Sequence, residues 1–289
     1  MLIYVSTSCL KNGGNILDVL KVYKEAGFKN VELGQSIYDV NLPNKIKQHD
    51  FNFIVHHHFP PPKKPFVVNL ASQNATILKK SREQIKKSIE FCNRLDIGLF
   101  TFHAGFRADP SIKLEFKKSS PVASYEKALR TFIESVKEIN IHAENNGVKI
   151  AIENNVLSEH NLVNGRNLFL LMCESTEFEN LFREIPSDNI GALLDLGHLQ
   201  VTSHWLKFDK YEFVDKLKDK VFLIHVHENN GKVDEHKGLD EKSWCLRIIG
   251  KKCFRKVPVS LESTNLDINE IIQNKKLLEQ NYNTSSCSS

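Results

Sequence analysis

Six short apolar runs in this 289-residue chain each end in a histidine or an acid: Phe53–His56, Leu99–His103, Lys149–Glu153, Ala192–Asp195, Val221–His225 and Val257–Glu262. The apolar residues read as buried strands, and the polar residue closes each one. Six strands ending at one place would gather His56, His103, His225, Glu153, Asp195 and Glu262 in a single pocket. Mixed imidazole and carboxylate donors with no thiolate are the chemistry of a divalent-metal site, suited to Zn²⁺, Mn²⁺ or Co²⁺. An unpaired carboxylate at the end of a core strand is too costly to bury, so each acid must be exposed, paired or metal-bound.

Other residues fall in phase with these. In Asp195-Leu196-Gly197-His198 an i,i+3 spacing puts carboxylate and imidazole on one face if a helix starts there. His225-Val226-His227 has the two-residue period of a strand, so both rings point one way; His225 is the better ligand, with His227 at the substrate or further out. Asp234-Glu235-His236 repeats the two-residue spacing in a polar loop. Alternation in His56-His57-His58 puts His56 and His58 on one face, and His56 is taken as the ligand.

These residues need a scaffold that brings strand ends together. Strands are expected at Leu2–Ser6, Asn30–Leu33, Phe51–His56, Leu99–His103, Lys149–Glu153, Ile190–Asp195, Val221–His227 and Val257–Glu262. Helical periodicity fills the intervals, notably 16–26 (capped by Asn15 and stopped by Gly27), 74–96, 125–146 and 267–280. Eight strands alternating with helices indicate a parallel sheet that closes into a single (β/α)₈ TIM barrel, whose chemistry sits at the C-terminal strand ends. No Pro/Gly/Ser linker divides the chain. The expected organisation is one barrel over residues 1–280 and a disordered polar tail over 281–289.

The bulk numbers are those of an ordinary globular protein, 41% hydrophobic and 26% charged. A net charge of +4 is small for a dedicated nucleic-acid binder, and Lys63-Lys64 and Lys117-Lys118 read as solvated pairs. The six cysteines are scattered with no CxxC, so reduced core thiols and a cytoplasmic location are expected. No apolar run is long enough to span a bilayer, and no secretory leader is visible. The oligomeric state is open, with Trp205 and Trp244 as candidate interface aromatics.

The segments Ile152-Glu153-Asn154, Asp195-Leu196-Gly197-His198 and His225–Gly238 (HVHENNGKVDEHKG), with Phe66–Ser72, resemble the xylose-isomerase-like barrel superfamily over nearly the whole chain. That superfamily contains sugar isomerases and epimerases and the endonuclease IV family of apurinic-site nucleases. In the isomerase branch the resemblance implies one metal held by Glu153, Asp195, His225 and Glu262. In the nuclease branch it implies a three-metal cluster that adds His56, His103, His198, Asp234 and His236.

Two reactions follow. An isomerase or epimerase of a small sugar, sugar phosphate or related hydroxy-carbonyl compound would pass through an enediolate, with Glu153 and Glu262 as base and acid. A nuclease would use clustered metals to hydrolyse a phosphodiester at an abasic site, and only then is nucleic acid a partner. The modest charge and the isomerase-like wording of His225–Gly238 favour a small carbohydrate substrate and isomerase chemistry. In either case Phe59–Phe66 supplies a stiff aromatic loop, a wedge in one and a pocket wall in the other. Arg107, Arg166, Lys232 and Lys237 near the mouth read as solvated unless they hold a phosphate.

Overall fold

The computed structural model describes residues 2–34, 37–57, 59–116 and 121–284, the last three by backbone alone. His58, Lys117-Lys118, Cys287 and the serine-rich end lie outside the described residues. Ten strands are described: β1 Ile3–Ser6, β2 Asn30–Leu33, β3 Asn52–His56, β4 Leu99–His103, β5 Lys149–Glu153, β6 Leu162–Val163, β7 Arg166–Asn167, β8 Ile190–Asp195, β9 Val221–Val226 and β10 Val259–Leu261. Eight close a parallel barrel in the order β1-β10-β9-β8-β5-β4-β3-β2, the expected (β/α)₈ TIM barrel. Strands β6 and β7 form a separate antiparallel hairpin in the loop after β5.

The helices are α1 Ile16–Glu25, α2 Leu42–Ile46, α3 Ala75–Arg94, α4 Tyr125–Asn145, α5 Ser175–Glu184, α6 Leu196–Leu206, α7 Lys210–Leu217, α8 Trp244–Ile249 and α9 Ile268–Thr284. Local chemistry fixes their ends. The Asn15 side chain accepts from the Leu17 backbone N–H, and that of Asn74 from Thr76 and Ile77. Gly27 follows α1 at φ +77°, where a side chain would be strained. Helix α9 runs four residues past Gln280, so residues 281–284 continue it. None of the described helices is long and apolar enough to cross a membrane.

Strand alternation then builds the site in layers. Tyr4, Ile54, Ala151, Leu193 and Leu223 form a buried cluster of their own, with Leu99 against it. Two residues further along the same strands stand Ser6, His56, Glu153, Asp195, His225 and Thr101, and His103 lies one more period above Thr101. Period-two geometry therefore places an apolar plug below and a polar layer above, both inside the barrel. Register staggers the polar layer around the barrel: His56 pairs with Thr101, His103 with Glu153, Asp195 with His225, and His225 with Ser260.

Neither candidate interface tryptophan is fully exposed. Trp244 is buried, with Lys210 Nζ 3.9 Å above its ring. Trp205 is half-buried and donates its indole N–H to the Lys232 carbonyl at 2.9 Å. Cys9, Cys92, Cys173 and Cys245 are buried free thiols and Cys253 is exposed.

Candidate metal centre

Every candidate ligand read from the sequence reaches one cluster at the C-terminal mouth of the barrel. Glu153, at the end of β5, is its hub. Its Oε2 lies 2.9 Å from His103 Nδ1 and 3.5 Å from His56 Nε2, while its Oε1 lies 3.2 Å from His198 Nδ1 and 3.8 Å from His225 Nδ1. The two oxygens thus face two different sets of imidazoles. Among the described residues, four groups of donors, each mutually within 4.8 Å, divide the cluster: His56–His103–Glu153; Glu153–Asp195–His225–Glu262; His198–His227–Asp234–His236; and Glu32–His56–His225. The first two share Glu153.

Four histidines anchor one ring nitrogen and aim the other inward. His56 Nδ1 lies 2.8 Å from Thr101 Oγ1, His198 Nδ1 3.1 Å from the Asn154 carbonyl, His225 Nε2 3.0 Å from Glu32 and His236 Nδ1 3.0 Å from the Glu262 carbonyl. Outer partners of this kind fix the orientation and basicity of metal-ligating imidazoles. The backbone contributes as well. Asp195 caps α6, accepting from the His198 N–H at 2.7 Å, so the i,i+3 pair is locked as its spacing suggested. Asn154 clamps β5 to β8 by donating to the Asp195 carbonyl at 3.0 Å and accepting from its N–H at 2.8 Å.

Sequence reasoning missed two participants. Glu32 is a fully buried acid on β2 that accepts from the far side of His225; an acid inside Asn30-Val31-Glu32-Leu33 was the available signal. His227 was placed at the substrate or beyond, but it is buried within the third group. Its Nε2 lies 3.2 Å from Asp195 Oδ1 and 3.7 Å from Asp234 Oδ1, and its ring stacks on His236 at 3.8 Å. The loop after β9 makes this possible. Glu228 and Lys237 exchange backbone hydrogen bonds, folding Asp234 and His236 back over the barrel. Among the mouth cations, Arg107 donates to the Ala123 carbonyl, Lys237 pairs with Glu235 at 2.6 Å, and Arg166 and Lys232 are exposed.

The donors fit divalent ions. Glu153 Oε1 and Oε2, Asp195 Oδ2, His225 Nδ1, both ring nitrogens of His227 and Asp234 Oδ1 are buried and receive no directed hydrogen bond. Buried polar atoms are ordinarily satisfied, and this set of buried donors without hydrogen-bond partners fits the coordination of divalent cations. None of Glu32, Glu153, Asp195, Asp234 and Glu262 pairs with a lysine or arginine among the described residues. Burial would raise the Glu153 and Glu262 carboxyls, yet His103 and His198 hold the first, and His225 the second, well below the usual range. Burial would likewise lower His198 and His225, but the surrounding carboxylates push both well above the ordinary imidazole value. The field of the site therefore calls for positive charge, which divalent metals supply without a proton.

His236 gives this a pH signature. Burial disfavours its charged form, but its hydrogen bond to Asp234 and the charge of Glu262 push it up to about 9. In metal-free protein its contribution to stability is complete below the unfolded pKa of about 6.5 and is lost as pH rises through 9. The melting temperature of chelated protein should accordingly fall between pH 7 and about 9.5, whereas metal-loaded protein should resist, because the metal replaces the proton. A flat profile for chelated protein across that window would refute the coupling of His236 to Asp234.

A cavity of about 660 Å³ opens above the cluster, floored by His103, His198, Asp234, His236 and Glu262. Glu153 does not line it.

Comparison with known proteins agrees with this architecture. An uncharacterized protein of Methanocaldococcus jannaschii is 30% identical over 241 residues, covering 80% of this chain and 79% of its own. A probable endonuclease 4 of Buchnera aphidicola is 26% identical, covering 71% of each chain. Among solved structures, a D-tagatose 3-epimerase-like protein shares the fold with a TM-score of 0.75 at 21% identity, covering 99% of this chain and 98% of its own. The xylose isomerase-like TIM barrel family model matches residues 20–282, and the chain belongs to that family.

Proposed function

We propose that this protein is a metal-dependent hydrolase of phosphoesters, built on the multi-metal plan of the nuclease branch. The observation that carries the proposal is the position of Glu153. A carboxylate that shuttles a proton to a substrate carbon needs an oxygen facing the substrate. Glu153 is wholly inaccessible, with each oxygen directed at a different histidine set, whereas Glu262 retains 12% of its side-chain surface and lines the cavity. A carboxylate so placed suits a bridge between two ions. His56 and His103 would complete the first ion's set; Asp195, His225 and Glu262 the second's; His198, His227, Asp234 and His236 would hold a third.

Bound there, divalent ions supply Lewis acidity toward a phosphoryl group and lower the pKa of a water nucleophile. The protein's own residues do the rest. Glu32, Thr101, Asn154 and the Glu262 carbonyl fix the imidazoles, so the donor set does not have to reorganise during reaction. Glu262 and Asp234, the two carboxylates among the described residues that line the cavity, face the substrate at its floor. The Buchnera relative named as an endonuclease is consistent with this reading.

A second reading is favoured by one observation: among the described residues, neither lysine nor arginine lines the cavity. That suits an uncharged hydroxy-carbonyl substrate and the isomerase reaction, with Glu262 as the base and a single ion held by Glu153, Asp195, His225 and Glu262.

The two separate on metal content and turnover. The expected result is about three divalent ions per chain by elemental analysis, with hydrolysis of bis(p-nitrophenyl) phosphate or of an abasic-site duplex that chelation abolishes. One ion per chain, together with deuterium from heavy water appearing beside the carbonyl of a ketose, would establish the isomerase instead.

A further inference from the structure

The cavity has a polar floor and an apolar wall, and part of that wall lies outside the main barrel core. Phe106, Leu157, Phe169 and Leu170 belong to a second hydrophobic cluster, packed between the loops that follow β4 and β5. Phe116 stacks on Phe169 with ring centroids 4.5 Å apart and planes 6° from parallel, and meets Phe106 edge-on at 5.6 Å. From the other side the loop after β3 contributes Phe66. At the rim, Ile112 and Leu114 are 66% and 55% exposed. Large apolar side chains gathered at the entrance of a polar site, and left in water there, mark a binding surface rather than a folding requirement.

The dimensions agree. A cavity of about 660 Å³ is within the range that takes ligands of drug size, and it far exceeds a lone phosphoryl group or pentose. A substrate whose head sits on the floor, against Asp234, His236 and Glu262, must carry its remainder against aromatic rings.

We infer that the site selects phosphoesters bearing an aromatic or similarly flat apolar group, held against Phe66, Phe106 and Phe116 while the phosphoryl head reaches the metal centre. This rests on the phosphoester reading given above. Recognition is divided: the charged head is met by the ions and their ligands, and the ring by stacking and edge contacts on the wall.

The test is calorimetric binding of two non-hydrolysable heads, phenylphosphonate and methylphosphonate, to the metal-loaded full chain. Phenylphosphonate should bind at least about tenfold tighter, or about 1.4 kcal/mol. Phe116→Ala should erase most of that advantage, read as the ratio of the two affinities. Leu114→Ser, at an exposed rim position, should reduce it in the same sense. Equal affinity for the two phosphonates, or an advantage that survives both substitutions, would overturn the inference and leave the phosphoester reading standing. Binding of neither phosphonate to fully metal-loaded protein would overturn the phosphoester reading and the inference with it.

Discussion

Glu153→Gln should leave a folded barrel that retains at most one of its ions and loses activity by about a thousandfold or more. The carboxylate places one oxygen before His103 and His56 and the other before His198 and His225. Glutamine keeps the shape but offers one acceptor and one N–H₂ donor, so one side must present hydrogens to an ion. Charge stabilisation by a metal is worth several kcal/mol, and each 1.36 kcal/mol is tenfold in rate. His56→Ala is the control, since His56 touches only one side of the bridge and should cost a single ion. The barrel should survive both changes, because the plug of Tyr4, Ile54, Ala151, Leu193 and Leu223 lies one layer below and does not depend on the metal. Circular dichroism would verify folding, and elemental analysis would count the ions. A Glu153→Gln protein with its full metal complement and undiminished turnover would rule out Glu153 as the bridge.

The barrel was legible because its strands are buried on both faces, and such strands appear in sequence as unbroken apolar runs. Asn30–Leu33, Leu99–His103, Lys149–Glu153 and Ile190–Asp195 were read with the bounds they have. The ligands were legible for the complementary reason: an acid or histidine closing such a run is anomalous unless it works. Glu32 escaped because Leu33 follows it, so the acid does not close its run, although it carries the same anomaly. His227 escaped on distance. Its phase with His225 was plain, but its nearness to Asp234 depends on the Glu228–Lys237 pairing, which no local pattern announces. The β6–β7 hairpin turns on Asn164-Gly165, both at positive φ, a pair that favours this kind of turn and passed unread. The reaction was the least legible part. Which way Glu153 faces is set by the imidazoles around it, and the sequence lists those residues without arranging them.

The second large effect is expected at Gly197, through space rather than backbone freedom. Gly197 lies in the first turn of α6, within regular helix, where alanine would ordinarily gain about 1 kcal/mol over glycine. Here a Cβ would stand 2.0 Å from His227 Cε1 and 2.3 Å from its Nε2. The imidazole cannot step aside, since it stacks on His236 at 3.8 Å and meets His198 edge-on at 5.7 Å. Gly197→Ala should therefore push His227 out of the third donor group. Metal content should fall by one ion per chain, and the melting temperature should drop by an overpacking cost of about 1–3 kcal/mol in stability. Removing the obstructing ring separates the two effects. Gly197→Ala combined with His227→Ala should recover the melting temperature of the chelated protein, because the methyl then enters the space the imidazole vacates, yet should not recover the third ion. Helix propensity alone would make the single variant more stable. If Gly197→Ala melts higher than the parent and keeps every ion, His227 does not occupy that space and the third site is held without it.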